Sequence, residues 1–274
     1  MSAGPYEPTE EIKRLLRPRS THPVTNRRGS SVWRVTGEDR RRHAVKLGYV
    51  SSPTHTFTAL APAREAVILR QLDRTGVHWG EWEHGTWSVQ PWRKGESLWE
   101  LWEGYRNGSR DTDAQTADAL ACARELARLH DAGWVHGDVQ PHHFIIGDQR
   151  TDLIDLGLAR GGDIPEVLDF PFRGCLVIYE SPEISRSVLE YGHAVPTTES
   201  DVFGLGASLF ISATGLRAVE FPPDAEREEQ RRVIAKGHHR KVTVPGPLGA
   251  AIEAMLSPVP ADRPTLAEIC DAWE

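Results

Sequence analysis

Two aspartates near the middle of the chain have the residue type and spacing that phosphate chemistry needs. Asp138 lies in the run WVHGDVQPHHFII, and Asp155 opens the triplet DLG nine residues after that run ends. A carboxylate on a rigid loop can orient a hydroxyl and accept its proton, while a second carboxylate can bind a divalent cation that contacts phosphate oxygens. Taken singly, Asp138 could equally cap a turn, and Asp155 could be the solvated end of a strand.

The two segments together resemble the catalytic loop and the metal-binding loop of protein kinases, which read HRDLKPENILL and DFG. The matching residues are 136–146 for the first loop and 155–157 for the second. The resemblance implies that Asp138 is the catalytic carboxylate and that Asp155 binds the metal. It also implies ATP as the phosphate donor and Mg²⁺, or Mn²⁺, as the metal.

Five further segments resemble protein kinase motifs and follow in the family's order. Ala44-Val45-Lys46 resembles the VAIK strand, whose lysine reaches the phosphates, and Glu65 resembles the helix glutamate that holds that lysine. The other three are YESPE at 179–183, which resembles YxAPE, DVFGLG at 201–206, which resembles DVWSLG, and RPT at 263–265. The resemblance further implies that Asp201 braces the catalytic loop and that Arg263 pairs with Glu183.

The resemblance also implies a set of nucleotide-binding residues. Gln90 occupies the gatekeeper position and Trp92 lies in the hinge that follows. The full set is Gly29, Ser30, Ser31, Val32, Ala44, Lys46, Glu65, Gln90, Trp92 and Ile145. The loop that covers the phosphates departs from GxGxxGxV, because TNRRGSSVWRV has a single glycine, so the backbone approaches a phosphate less freely.

Three departures fall in the catalytic loop. Gly137 replaces the arginine that receives an activation-loop phosphate, which predicts activity without that phosphorylation. Gln140 replaces a lysine, which removes a cation near the transferred phosphoryl group and predicts a slower enzyme. His143 replaces the metal-binding asparagine, so it either ligates the metal beside Asp155, favouring Mn²⁺ or Zn²⁺ over Mg²⁺, or turns away.

The order of predicted elements indicates an α+β, two-lobed protein-kinase-like fold. Residues 1–22 form an N-terminal extension, 23–93 a small lobe with the order β-β-β-α-β-β, and 94–274 a larger helical lobe. A hinge is expected at 92–97, and the two lobes together form one kinase domain. The helical lobe begins with the amphipathic run TADALACARELARLHDAG and ends with TLAEICDAWE.

Composition excludes several other functions. The net charge of −7 and the isoelectric point of about 6.0 argue against a nucleic-acid partner. Three scattered cysteines argue against disulfides and zinc, and the sequence has no apolar run of membrane-spanning length. These features predict a cytoplasmic protein without a membrane partner.

Three functions remain open at this point. The first is a kinase acting on Ser/Thr hydroxyls of a protein or peptide, including a precursor peptide in lanthipeptide-type maturation, with a partner protein encoded nearby. The second is a pseudokinase that binds nucleotide or serves as a scaffold. The third is a small-molecule kinase of the aminoglycoside phosphotransferase type, which the HGD form of the catalytic loop resembles. The segment resembling YxAPE and the late RPT favour a protein or peptide substrate.

Overall fold

The computed structural model describes residues 6–108, 113–222 and 224–273. Within these ranges the chain forms two compact units. The first unit extends to Arg93 and also takes in Gly162–Phe170, while the second unit covers Lys94–Gly161 and continues from Pro171. The segment Gly162–Phe170 therefore belongs to the first unit, although its neighbours in sequence belong to the second.

The first unit is built on an antiparallel sheet whose strand order is β1-β2-β3-β5-β4. Its strands are β1 Ser20–Arg27, β2 Ser30–Thr36, β3 Arg42–Gly48, β4 His78–Trp82 and β5 Gly85–Pro91. Helix α1 (Glu10–Leu16) precedes the sheet, and helix α2 (Ala61–Gln71) lies between β3 and β4 in sequence. The predicted order β-β-β-α-β-β is confirmed.

Alternation along the strands divides the sheet into two faces. Val45 and Leu47 are fully buried and pack with Trp33 and Trp87, and Ile12 of α1 joins this cluster. Lys46 lies between the two aliphatic residues in sequence, so its side chain projects from the opposite face. The apolar pattern of β3 therefore forces the lysine onto the side where α2 packs.

The second unit is mainly helical and contains a small sheet of order β6-β7-β8. Its strands are β6 Glu96–Ser97, β7 Phe144–Ile146 and β8 Thr151–Leu153. Its helices are α3 Leu98–Leu101, α4 Glu103–Arg106, α5 Asp113–Asp131, α6 Pro182–Tyr191, α7 Thr198–Thr214, α8 Arg227–Ile234, α9 Gly246–Met255 and α10 Leu266–Trp273. A strand-rich first unit and a helical second unit confirm the predicted α+β class.

Helix α7 forms the centre of the second unit. Most of its residues are buried, and it packs against α5 and α9. A capping box between Thr197 and Ser200 starts the helix, and Gly215 ends it in the left-handed conformation. Across the described ranges, no helix combines the length and the apolar character needed to cross a membrane.

Candidate active site

Lys46 and Glu65 form a buried ion pair in the first unit. The Nζ atom of Lys46 lies 2.7 Å from Oε2 of Glu65 and 2.9 Å from Oε1. The side chains are only 14% and 2% exposed, so each charge needs the other to offset the loss of water. The pairing expected from the sequence is present. It places an ammonium group on the face of the sheet that also carries Val32 and Ser88, the cross-strand partners of Lys46.

The turn between β1 and β2 stands where the phosphate-covering loop is expected. Its two residues, Arg28 and Gly29, both have positive φ, at 51° and 82°, which is typical of a tight two-residue hairpin turn. A Cβ atom at Gly29 would collide with the carbonyl oxygen of Tyr49, so glycine is required there. The single glycine of this loop is therefore explained by the turn itself. Ser30 follows as the first residue of β2.

Ser31 and Val32 project from opposite faces of the sheet. Ser31 is fully buried beside Leu47, its cross-strand partner, and its hydroxyl donates to Oδ1 of Asn26 at 2.8 Å. Val32 pairs with Lys46 and shares its face. Of the two predicted nucleotide-binding residues, Ser31 could therefore offer only main-chain groups on the lysine face, whereas Val32 could offer its side chain.

The remaining predicted nucleotide-binding residues fall in both units. Ala44 pairs with Gln90 across β3 and β5, on the same face as Lys46, and Gln90 is buried. The backbone N–H of Trp92 donates to the carbonyl of Arg42 at 2.9 Å, which continues the pairing past the end of β5. Ile145 belongs to the second unit, in β7, where it pairs with both Ser97 and Asp152.

In the second unit, Asp201 holds the loop that carries Asp138. The Oδ2 atom of Asp201 accepts from the backbone N–H of His136 at 2.6 Å, and Oδ1 accepts from the backbone N–H of Gly137 at 2.8 Å. His130 lies 3.0 Å from Oδ2. Because Asp201 is buried on α7, the loop is attached to the core helix of the unit. The brace expected from the sequence is present.

The ring of His136 is a second attachment for the loop that carries Asp138, and its two hydrogen bonds define its tautomer. Its Nδ1 accepts from the backbone N–H of Asp138 at 3.1 Å, so Nε2 carries the proton and donates to the carbonyl of Ile154 at 3.1 Å. Burial, together with the nearby imidazole of His143, lowers the pKa of His136. The neutral ring thus links the Asp138 loop to the strand that leads to Asp155.

The carboxylate of Asp138 is held by two donors that the sequence did not reveal. Nε2 of Gln140 donates to Oδ2 at 2.9 Å, and the backbone N–H of Leu176 donates to Oδ1 at 3.4 Å. Gln140 lies two residues after Asp138, so the spacing could have suggested this contact. The contact from Leu176 is made across 38 residues and has no sequence signal.

His143 lies beside Asp155. Its Nδ1–H donates to the carbonyl of Asp138 at 2.9 Å, and Nε2 is 3.2 Å from Oδ2 of Asp155. Burial alone would lower the pKa of His143, but the hydrogen bond and the attraction from Asp155 outweigh it, so the pKa is raised. In the structure, therefore, the side chain of His143 faces Asp155.

This pair also fits a cation. Because Nδ1 of His143 is already a hydrogen-bond donor, Nε2 is the nitrogen that could bind a metal. The carboxylate beside it belongs to Asp155, whose backbone is in the left-handed conformation with a φ of 66°. Within the described part of the chain, no group of three or more His, Cys, Asp or Glu is arranged to hold a metal. His143 and Asp155 could supply two ligands to a cation that also binds phosphate oxygens and water.

Comparison with known proteins agrees with the resemblance to protein kinases. No protein-family model matches the chain. Serine/threonine-protein kinase PknK of Mycobacterium tuberculosis is 31% identical over 189 residues, which are 65% of this chain and 16% of PknK. Serine/threonine-protein kinase PkaA of Streptomyces coelicolor is 31% identical over 56% of this chain and 26% of its own length. Serine/threonine-protein kinase 16 of Mus musculus is 28% identical over 48% of this chain and 46% of its own length.

These matches support a protein kinase superfamily domain in this chain. The chain spans less than half the length of each of these three relatives.

Two ion pairs with buried arginines anchor residues 179–183, which resemble the end of a kinase activation segment. Arg263 binds both oxygens of Glu183, at 2.7 and 2.8 Å, as the sequence predicted. Burial would raise the pKa of Glu183, but its hydrogen bonds to Arg263 and the attraction of that guanidinium lower it overall. Arg231 of α8 binds Glu180 in the same two-pronged manner, at 2.7 and 3.0 Å. Sequence reasoning missed this second pair, because an arginine in a helix rich in charges carries no distinctive signal.

Proposed function

We propose that the chain is an ATP-dependent kinase that phosphorylates Ser/Thr hydroxyls of a protein or peptide. The observation that carries the proposal is the carboxylate of Asp138, which Gln140 and Leu176 orient within a loop fixed by Asp201. A carboxylate held in this way is suited to receive a hydroxyl and its proton.

The proposed reaction gives each of these groups a separate role. Lys46, held by Glu65, binds the α- and β-phosphates of ATP. Asp155 and His143 hold Mg²⁺ or Mn²⁺, which when bound offsets the charge on the phosphate oxygens. Asp138 orients the acceptor oxygen, which forms a bond to the γ-phosphorus while the bond to the β-phosphate oxygen breaks. The hydroxyl proton passes to the carboxylate of Asp138.

The substrate class is supported by the anchored activation segment. Arg263 and Arg231 fix Glu183 and Glu180, and such anchoring gives a rigid surface suited to an extended chain. The relatives are named as serine/threonine-protein kinases, which agrees with a protein substrate. A precursor peptide of lanthipeptide-type maturation, presented with a partner protein encoded nearby, is one substrate to assay within this class. We further propose a cytoplasmic location, which the three free cysteines support.

A pseudokinase is the second candidate. The observation that favours it is the contact between His143 and Asp155, because the imidazole occupies an oxygen atom that a metal would use. Such a protein would bind ATP and release it unchanged, whereas a kinase would transfer the γ-phosphate.

The test measures phosphate transfer and nucleotide binding on the same protein. Purified wild type is incubated with γ-labelled ATP, Mg²⁺ or Mn²⁺, and dephosphorylated casein or Ser/Thr peptides. Asp138→Asn should reduce transfer by about a hundred-fold to ten-thousand-fold, yet keep the rise in melting temperature that ATP produces. Asp131→Asn, an exposed aspartate at the end of α5, is the matched control. Wild type that binds ATP but never labels an acceptor would establish the pseudokinase.

A further inference from the structure

The segment Gly162–Phe170 carries contacts that the proposed reaction does not use. It is part of the first unit, whereas the residues before and after it belong to the second. Asp169 forms an ion pair with Arg64 of α2, at 3.0 Å between Oδ1 and Nη1, and the same guanidinium approaches the carbonyl of Leu168 at 3.4 Å. The side chain of Gln71, farther along α2, bonds to the backbone of Asp163.

Phe170 completes the packing around this ion pair. The guanidinium of Arg64 lies 5.0 Å above the centre of the Phe170 ring, and that ring stacks on Phe57 with centroids 5.1 Å apart. Stacking on an aromatic face suits the flat, weakly hydrated guanidinium. The segment therefore presents a carboxylate, a carbonyl and an aromatic ring to one arginine.

Arg64 needs these contacts because it is buried. Its side chain is 0% exposed, while that of Asp169 is 50% exposed. An arginine stays protonated in a protein, so removing it from water without a counter-charge is costly. The half-exposed Asp169 supplies a counter-charge from the segment, so the segment helps α2 to keep Arg64 buried.

Arg64 is also the immediate neighbour of Glu65, which holds Lys46. Adjacent residues point about 100° apart around a helix. Thus α2 presents Glu65 to β3 with one face and Arg64 to the segment with the next. Both ion pairs therefore bear on the position of the same turn of α2.

The sequence of this region restricts how the negative charge can arise. Between Thr151 and Ser181 there is no serine or threonine. The one hydroxyl in that stretch belongs to Tyr179, which is buried. A charge for Arg64 cannot come from phosphorylation of a serine or threonine in this stretch, whereas Asp169 provides it permanently.

We propose that Asp169 is a positioning residue that acts through Arg64 to hold Glu65, and with it Lys46, ready for ATP. The nucleotide-binding pair is then assembled in the unmodified protein. This inference rests on the proposed function, in which Lys46 binds the phosphates.

The experiment measures the affinity of the full chain for a fluorescent ATP analogue with Mg²⁺. Asp169→Asn keeps the shape of the side chain and removes its charge, and it should weaken binding by at least about five-fold, the lower end of the coupling found between linked sites. Asp169→Glu should restore most of the affinity. Glu166→Gln removes a charge from an exposed position of the same segment and should leave affinity unchanged. An equal loss in Asp169→Asn and Glu166→Gln would overturn the proposal, as would no loss in Asp169→Asn.

A double-mutant cycle tests whether Asp169 affects ATP binding through Glu65. If Asp169 acts through Glu65, Asp169→Asn should have little further effect on affinity in a Glu65→Gln background. If the two substitutions instead lower the affinity additively, Asp169 does not act through Glu65. Wild type treated with phosphatase should bind as untreated protein does, and a loss on treatment would overturn the claim that the pair assembles unmodified.

Hydrogen exchange without nucleotide separates this proposal from the proposed function. Amides of α2 should exchange faster in Asp169→Asn than in wild type, and Glu166→Gln should match wild type. Wild type that fails to bind ATP would reject the proposed function, while exchange would still report on the contact between Asp169 and α2. Unchanged exchange in Asp169→Asn would overturn the positioning role directly.

Discussion

The lysine of the first unit and the catalytic loop of the second are held by different kinds of contact. Lys46 is held through its side chain, which pairs with Glu65 on helix α2. The loop around Asp138 is held through its main chain, because Asp201 accepts from two consecutive backbone N–H groups and His136 accepts from a third. Side-chain contacts can be broken one at a time, whereas the main-chain contacts fix the path of the loop.

This difference indicates where each region can be adjusted. The lysine region can be tuned by whatever moves α2, and the ion pair between Arg64 and Asp169 is one such contact. The catalytic loop is part of the folded core, since Asp201 lies on the central helix α7. Substitutions that disturb the first region should alter nucleotide binding, while those that disturb the second should alter folding.

The largest effect is expected at Lys46. Lys46→Met keeps a long side chain but removes the charge that we propose binds the phosphates. It should lower transfer by more than about a hundred-fold, in the range found when a stabilising donor is removed, and abolish most of the rise in melting temperature that ATP produces. Lys236→Met, at an exposed position just after α8, is the control and should behave as wild type. A full ATP-dependent shift in Lys46→Met would contradict the role of Lys46.

A smaller effect, on stability rather than binding, is expected at Asp201. Asp201→Asn replaces one of two oxygens that accept buried backbone N–H groups, and the new amide cannot accept at that position. The free energy of unfolding should fall by about 1–3 kcal/mol, the cost of an unsatisfied buried donor. Urea titration measures this loss, with exposed Asp131→Asn as the control. Equal midpoints in the two variants would show that the brace is dispensable.

The smallest effect is expected at His143. If its Nε2 ligates a cation, initial rates in wild type should favour Mn²⁺ over Mg²⁺, and His143→Asn should reduce that ratio by several-fold. Protons compete for Nε2, so the rate with Mn²⁺ should rise with pH through the raised pKa of His143. If the ratio of the rates with Mn²⁺ and Mg²⁺ is identical in wild type and His143→Asn, His143 is not a metal ligand.

Without metal, the pair of His143 and Asp155 should make the folded protein less stable as the pH rises, whereas the rate with Mn²⁺ should increase. Because the pKa of His143 is raised in the folded protein, its ion pair with Asp155 contributes stability that is complete below about pH 6.5, the unperturbed value. That contribution is lost as the pH rises through the folded pKa. His143→Asn should remove this part of the pH dependence, which chemical denaturation at several pH values would measure.

Sequence patterns alone were sufficient for the fold class and for several of the contacts around the candidate site. Strand alternation around Lys46 and helical spacing around Glu65 specify local structure, because burying an apolar face is decided by residues close in sequence. The pairing of Arg263 with Glu183 and the bracing by Asp201 were predicted correctly as well. These contacts accompany motifs that can be recognised as short runs.

Tertiary structure alone decided which distant groups contact Asp138, Glu180 and Arg64. The contact from Leu176, the pair of Arg231 with Glu180, and the pair of Arg64 with Asp169 join residues 38, 51 and 105 positions apart. Nothing near any of these residues in sequence marks its partner. A buried charge takes its partner from whatever the folded chain brings within reach, and that is determined by the packing of whole segments rather than by local sequence.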